Sequence, residues 1–196
     1  MSPITELIGG AKAYGWGSFA AAGNFSSIAT ATVGSGGSST ITFSSIPQIY
    51  THLQLRMFAQ SNYSYPGSDG TLVRFNGDTT TTNRYHQLFG NGTSMTANSG
   101  TGNFTVGQRI GNSTVNGFFG AVIFDILDYT STNKNKVTRS LGGVDWNGST
   151  EGQIYYNSSI YLVSNTAISS MTITPGDGTL FTNNSHFALY GIKTVA

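Results

Sequence analysis

The chain has 196 residues, a formal net charge of +1, no cysteine, and charged residues at only 9% of its positions. The missing cysteines exclude disulfides, thiolate catalysis and Cys-ligated zinc or iron–sulfur centres, and the near-neutral balance gives no electrostatic footprint for nucleic acid or an anionic membrane. Gly, Thr, Ser and Asn number 26, 26, 24 and 16, so hydroxyls and amides solvate the surface in place of ions, while 12 Phe and 10 Tyr suffice for one core.

Residues 1–23, MSPITELIGGAKAYGWGSFAAAG, carry Gly and Ala in place of the Thr/Asn-rich pattern that follows. Their isolated apolar anchors Ile4, Leu7, Ile8, Tyr14, Trp16 and Phe19 cannot build a core among themselves, so the segment reads as an extended arm that docks on something. A neighbouring subunit or a different protein is the expected surface; folding back onto its own domain is the alternative. The opening residues lack the basic and apolar regions of a secretory signal. The longest apolar run, Phe118–Leu127, is too short for a membrane span and contains Asp125. Eight Asn-x-Ser/Thr sequons are accordingly read as a product of composition.

From residue 24 onward Gly, Thr and Asn interrupt any helical periodicity, and short β-rich runs recur between turn clusters. The runs are Ser27–Val33, Thr40–Ser44, Tyr50–Gln60, Thr71–Phe75, Tyr85–Phe89, Phe104–Ile110, Gly117–Tyr129, Lys136–Val144, Gln153–Val163, Ser169–Thr174 and His186–Lys193. Turn signals such as Gly34-Ser-Gly-Gly, Asn76-Gly-Asp, Asn91-Gly and Pro175-Gly-Asp-Gly separate them. Strands of this length and spacing predict an all-β chain: a two-sheet antiparallel sandwich, of the jelly-roll kind, preceded by an extended N-terminal arm. The division expected is the arm over 1–23, a first strand with its Gly/Ser-rich connection over 24–38, and the sandwich over 39–196.

Two strands show what their faces want. Around Thr51–Gln60 an apolar stripe of Leu53, Leu55 and Met57 opposes a polar but aromatic stripe of Tyr50, His52, Gln54, Arg56 and Phe58. The members Tyr50, His52, Arg56 and Phe58 are the expected subunit interface. Gly117–Tyr129 is apolar on both faces, which predicts a central strand covered on both sides. Its Asp125 then needs a partner, for which Arg56, Arg74 or Arg139 is available.

Catalytic constellations are thin. His52, His86 and His186 fall on separate strands with no local metal-ligand spacing, so structural or surface roles are expected. No nucleophile elbow accompanies the serines. Asp125 and Asp128 are three apart on a strand and point to opposite faces, which does not suit paired carboxylate chemistry. Asp145-Trp-Asn-Gly and Asn76-Gly-Asp78 read as turns. No cofactor and no metal is expected. Tyr63, Tyr65, Tyr85, Trp146, Tyr155 and Tyr156, in or beside loops, could stack sugar rings, of which Tyr63, Tyr65, Trp146 and Tyr155 form the candidate platform; core or interface filling is the competing role.

A series of blocks adds to this reading. Ile28-Ala-Thr-Ala-Thr-Val-Gly-Ser-Gly-Gly-Ser-Ser-Thr-Ile-Thr-Phe-Ser-Ser-Ile-Pro47 is followed by Tyr50-Thr-His-Leu-Gln-Leu-Arg56, Val73-Arg-Phe-Asn-Gly-Asp78 and Asp125-Ile-Leu-Asp-Tyr129 ahead of Asn133-Lys-Asn-Lys136. Ala167-Ile-Ser-Ser-Met-Thr-Ile-Thr-Pro175 and Phe187-Ala-Leu-Tyr-Gly-Ile-Lys193 end the series. Over roughly residues 24 to 193 this succession resembles a group of small virion structural proteins of tailed bacteriophages. The resemblance implies a β-sandwich displayed on the particle, as a capsid or neck decoration, cement or fibre protein, and supplies no active-site residues. The expectation is therefore a non-enzymatic protein of the virion, assembled in the host cytoplasm, anchored by its arm to capsid, neck or tail proteins and associating with itself as a trimer. The alternative is a tail-associated module that binds a host surface glycan. Neither nucleic acid nor a membrane is expected as a partner.

Overall fold

The computed structural model describes residues 24–64, 68–80, 82–112, 117–145 and 152–193. These residues form thirteen strands and no helix. In chain order they are β1 (Phe25–Thr32), β2 (Ile41–Phe43), β3 (His52–Ser61), β4 (Thr71–Phe75), β5 (Asn83–Gly90), β6 (Met95–Gly102), β7 (Thr105–Val106), β8 (Gly111–Asn112), β9 (Gly120–Leu127), β10 (Lys136–Val144), β11 (Gln153–Tyr161), β12 (Met171–Pro175) and β13 (His186–Ile192).

They build a two-sheet sandwich. The large sheet runs β1-β13-β3-β9-β10-β11-β5-β6, with short β8 added in parallel to the end of β3; the small sheet runs β2-β12-β4-β7. All other pairings are antiparallel. Alternation explains which face goes inward. On β3 the residues Leu53, Leu55, Met57 and Ala59 are buried, and on β9 so are Val122, Phe124 and Ile126. They meet Ile41, Phe43, Val73, Phe75, Met171 and Ile173 from the small sheet in one cluster closed by Phe181 and Phe187.

Past β9 the interior changes character. The inward positions of β10, β11 and β5 include Lys136, Thr138, Ser140, Asn157, Ser159 and Asn83, all buried, beside the buried Val144, Tyr155 and Tyr161. Thr105 Oγ1 lies 3.4 Å from Thr138 Oγ1, Gln108 Nε2 donates to Ser140 Oγ at 2.9 Å, and Asn157 Nδ2 donates to Ser159 Oγ at 2.8 Å. These bonds satisfy part of the buried polar layer, while Asn83 Oδ1 and Gln108 Oε1 are buried with no hydrogen-bond partner.

Several expectations change on this frame. β1 is hydrogen-bonded to β13 along its length, with one register shift between Ser27 and Ala29. It therefore belongs to the sandwich, and no structural boundary falls at residue 39. The single strand expected over Phe104–Ile110 is broken: Gln108 takes a φ of 151°, leaving two-residue β7 and an isolated bridge from Ile110 to Asp69. The strand β6 was not anticipated. The arm over 1–23 lies outside the described residues.

The Asn76-Gly-Asp78 turn is as expected, with φ of 52° and 66° at Asn76 and Gly77. The Asp78 carboxylate accepts from the Thr80 hydroxyl at 2.6 Å and backbone N–H at 2.8 Å, from Thr82 Oγ1 at 2.9 Å and from Tyr161 Oη at 3.0 Å. These bonds, the Thr80 hydroxyl first, hold its pKa down to about 2, while burial and then the same bond push the Tyr161 phenol up. A depressed carboxylate stabilises the fold above the unfolded value near pH ~4 and loses that contribution as pH falls toward its folded value. Asp78→Asn should therefore be less stable than the parent in urea at pH 7, with the gap closing by about pH 2. A gap that stays constant over that range would exclude the carboxylate as its source.

Candidate functional site

The outward face of the large sheet is built by the residues that alternate with the core. Antiparallel register places Arg56, Ile123, Leu141, Tyr156 and Leu88 side by side on β3, β9, β10, β11 and β5. The last four are 43%, 53%, 46% and 44% exposed. Four large apolar side chains from four neighbouring strands thus form one band facing solvent. The next row toward the β8 end holds Phe58, Ala121, Gly143, Ile154 and Gly90, with Met95 beyond on β6. Ala121 and Gly143 have little or no side chain, so the sheet is hollow between Phe58 and Ile154. This is an open groove of about 760 Å³, floored by backbone and walled largely by carbon.

Aromatic pairs flank the groove on one side. Phe58 stacks on Phe119 with centroids 4.9 Å apart, and Phe25 stacks on Tyr190 at 4.7 Å. The Arg56 guanidinium sits 5.3 Å and 5.5 Å from the centres of the Phe25 and Tyr190 rings and donates from Nε to Gln54 Oε1 at 3.0 Å. Such stacking fixes a cation on an apolar wall. The following row is polar: Gln54 Nε2 donates to Asp125 Oδ1 at 2.9 Å, and Arg139 approaches Asp125 Oδ2 at 3.7 Å. Of the three arginines considered for Asp125, Arg139 is thus the ion-pair partner. The pair is solvent-facing, and Gln54 shares it.

Among the described residues β9 has a cover on one side only, where two were expected. β9 is central within its sheet, yet Ala121 and Ile123 on its outer face are exposed, and among the described residues nothing lies over them. This is also the signal by which sequence reasoning could have found the site. A strand apolar on both faces asks for two covers, and one of them is missing from the described fold. Leu88, Ile123 and Leu141 were not singled out, because only the strand order brings them together.

The expected interface stripe is partly rearranged. Arg56 and Phe58 lie on the outer face as anticipated, and Phe58 is 53% exposed. Tyr50 does not join them; it precedes β3 and its ring packs over the inward face of Gly191, against the core. His52 is on the outer row but is tied to the sheet end: Asp128 N–H donates to His52 Nδ1 at 3.0 Å. Asp128 in turn accepts from Lys134 Nζ at 2.8 Å, a bond that together with the lysine charge holds its pKa below the usual carboxylate range. Asp125 and Asp128 each have their own cation and share no site.

The sugar platform is not assembled by the described residues. Tyr155 is 3% exposed, its ring stacked on Phe89 at 4.9 Å with Arg109 over it at 5.4 Å, so it offers no face to a ligand. Tyr63 is half-buried, and Tyr65 and Trp146 lie outside the described residues. Tyr85 turns inward against Gly100, and Tyr156 stands within the apolar band. The three histidines do not converge, and among the described residues no group of three His, Asp or Glu side chains could hold a metal ion. Comparisons with protein-family models, with curated proteins and with solved structures find no match for this chain.

Proposed function

We propose that this chain is a structural protein of a bacteriophage particle, and that it takes its place there by burying the outer face of its large sheet. The carrying observation is the solvent-facing band Ile123–Leu141–Tyr156–Leu88 with its adjoining groove. Contiguous apolar surface of this kind on a polar, weakly charged protein marks a protein contact surface.

Topology supports the reading. Strands β1, β13, β3 and β9 in one sheet and β2, β12, β4 and β7 in the other succeed one another as in a jelly roll, an architecture common among viral particle proteins and lectins. Two hairpins, β5–β6 and β10–β11, are inserted into that frame and widen the large sheet beyond β9. Leu88, Met95, Leu141, Ile154 and Tyr156 all belong to these insertions. The added strands thus supply most of the open apolar surface, while their inward side chains mix polar residues with Val144, Tyr155 and Tyr161. The ordered blocks that resemble phage virion proteins point to the same class. Self-association, as a trimer, and anchorage through residues 1–23 complete the proposal.

Immunogold electron microscopy of purified particles with an antibody against the sandwich tests it. Label on the head is expected for a decoration or cement protein, and label at the neck or tail for a fibre. Unlabelled intact particles would overturn external display. Added back to particles lacking the protein, the parent should rebind, whereas Leu141→Glu, folded by circular dichroism, should lose at least ten-fold in occupancy.

A further inference from the structure

We infer that the open edge of β6 pairs antiparallel with the same edge of a second copy of this chain, about a two-fold axis at Asn98. This goes beyond the attachment face and the three-fold association proposed above, since a two-fold contact joins copies that belong to separate trimers. Three observations carry it. First, the edge is long and unguarded. Met95–Gly102 pairs with β5 through all eight residues without a register shift, and it contains no Lys, Arg, Asp, Glu or Pro. Native sheets blunt such an edge with a charge, a proline, a bulge or shortness. The other outer strands comply: β1 has its register shift between Ser27 and Ala29, β2 has three residues and β7 two.

Second, the backbone groups on that edge complement themselves. At the hairpin tip Asn91 N–H donates to Ser94 O at 3.2 Å, which sets the phase of the β5–β6 ladder. Antiparallel alternation then turns the N–H and C=O of Thr96, Asn98, Gly100 and Gly102 toward β5, and those of Met95, Ala97, Ser99 and Thr101 toward the open edge. Among the described residues no strand or loop bonds to the latter set. A second β6 placed with Asn98 opposite Asn98 brings Met95 to Thr101 and Ala97 to Ser99, so every free N–H of each copy meets a free C=O of the other. A slip of one residue sets outward side chains against inward ones, and a slip of two leaves part of the edge unpaired. Third, the arrangement suits attachment. Paired residues of antiparallel strands share a face, so the axis stands perpendicular to the sheet and the outer faces of both copies open to the same side. Two apolar bands then meet one particle surface together, which raises the effective concentration for the second contact.

The chain has no cysteine, so a single introduced thiol in the full-length protein reports the contact. The thiol of Asn98→Cys lies on the axis at a non-hydrogen-bonded pair, where Cα atoms stand about 4.5 Å apart and a disulfide can close. The two thiols of Thr96→Cys, on the same face, are more than about 13 Å apart and out of reach. Under a mild thiol oxidant, Asn98→Cys should form a covalent dimer about ten-fold faster than Thr96→Cys. Adding Ser99→Pro removes an N–H that only the second copy uses. It should slow crosslinking about ten-fold while the circular dichroism stays that of strands; Ala97→Pro takes its place should that variant fail to fold. No dimer from Asn98→Cys, equal rates at positions 96 and 98, or crosslinking indifferent to a folded proline variant overturns the inference. Particle rebinding is scored separately. Asn98→Cys that rebinds like the parent without crosslinking sinks the edge contact and leaves the attachment face standing, whereas added Leu141→Glu that crosslinks but does not rebind upholds both.

Discussion

Lys136→Met should destabilise the protein by about 2–4 kcal/mol, lowering its melting temperature by roughly 2–4 °C for each kcal/mol. Lys136 is wholly buried on the inward face of β10, and its ammonium donates to the carbonyl oxygens of Val163 at 2.8 Å, of Thr166, and of Ser164 at 3.5 Å. No carboxylate neutralises it among the described residues. The ammonium is thus the hydrogen-bond hub of the segment between β11 and β12, tying three of its carbonyls to β10. Methionine fills the same length of channel and removes the charge, which on its own favours the variant. It also leaves two or three carbonyls unsatisfied at about 1–3 kcal/mol each, and that loss is the larger.

A pH signature separates the two terms. Burial pushes the Lys136 amine down from its ordinary value. The folded state then binds fewer protons than the unfolded state between its lowered value and the unfolded value near ~10.4, so stability rises with pH across that window. The parent should show this alkaline gain in urea melts, and Lys136→Met should lack it. Equal stability of the two proteins at pH 7 would show that the carbonyls find other donors.

What could be read in the sequence was whatever alternation and turn chemistry encode. Leu53, Leu55 and Met57 alternate with polar neighbours and become the inward face of β3 as expected; Asn76-Gly77 adopts the left-handed turn. β6 escaped because Met95–Gly102 has no apolar stripe. It is a strand only because all eight of its residues pair with β5, at an edge where the side chains stay largely exposed. The sheet order itself is a matter of long-range pairing, which periodicity within one strand cannot report. Leu88, Ile123, Leu141 and Tyr156 are far apart in sequence and become one surface only when β5, β11, β10 and β9 are set side by side. The one local trace was β9, apolar on both faces. That trace predicts two covers, and the described fold supplies one.

The same strand gives the sharpest contrast in expected mutational effect. Phe124 is fully buried between the sheets, opposite Leu55 and Ser140 in the ladder, whereas its neighbour Ile123 points to solvent at 43% exposure. Phe124→Ala removes most of a ring from a packed core that can close only partly around the void, at a cost of about 3–5 kcal/mol. Ile123→Asp, a more drastic change in polarity, should move unfolding stability by only about 0.5 kcal/mol, since a surface substitution leaves no cavity and buries no charge. The two should separate in the opposite sense on assembly: Ile123→Asp places a carboxylate in the centre of the apolar band, where any partner must desolvate it, and should abolish attachment while leaving the melting curve nearly intact. Chemical denaturation of both variants, run beside particle rebinding, checks the pair. Should Ile123→Asp cost as much stability as Phe124→Ala, the outer face is not a free surface of the folded protein. Should it rebind like the parent, attachment runs through another surface, because a protein that still folds has then lost the apolar centre of this one without consequence.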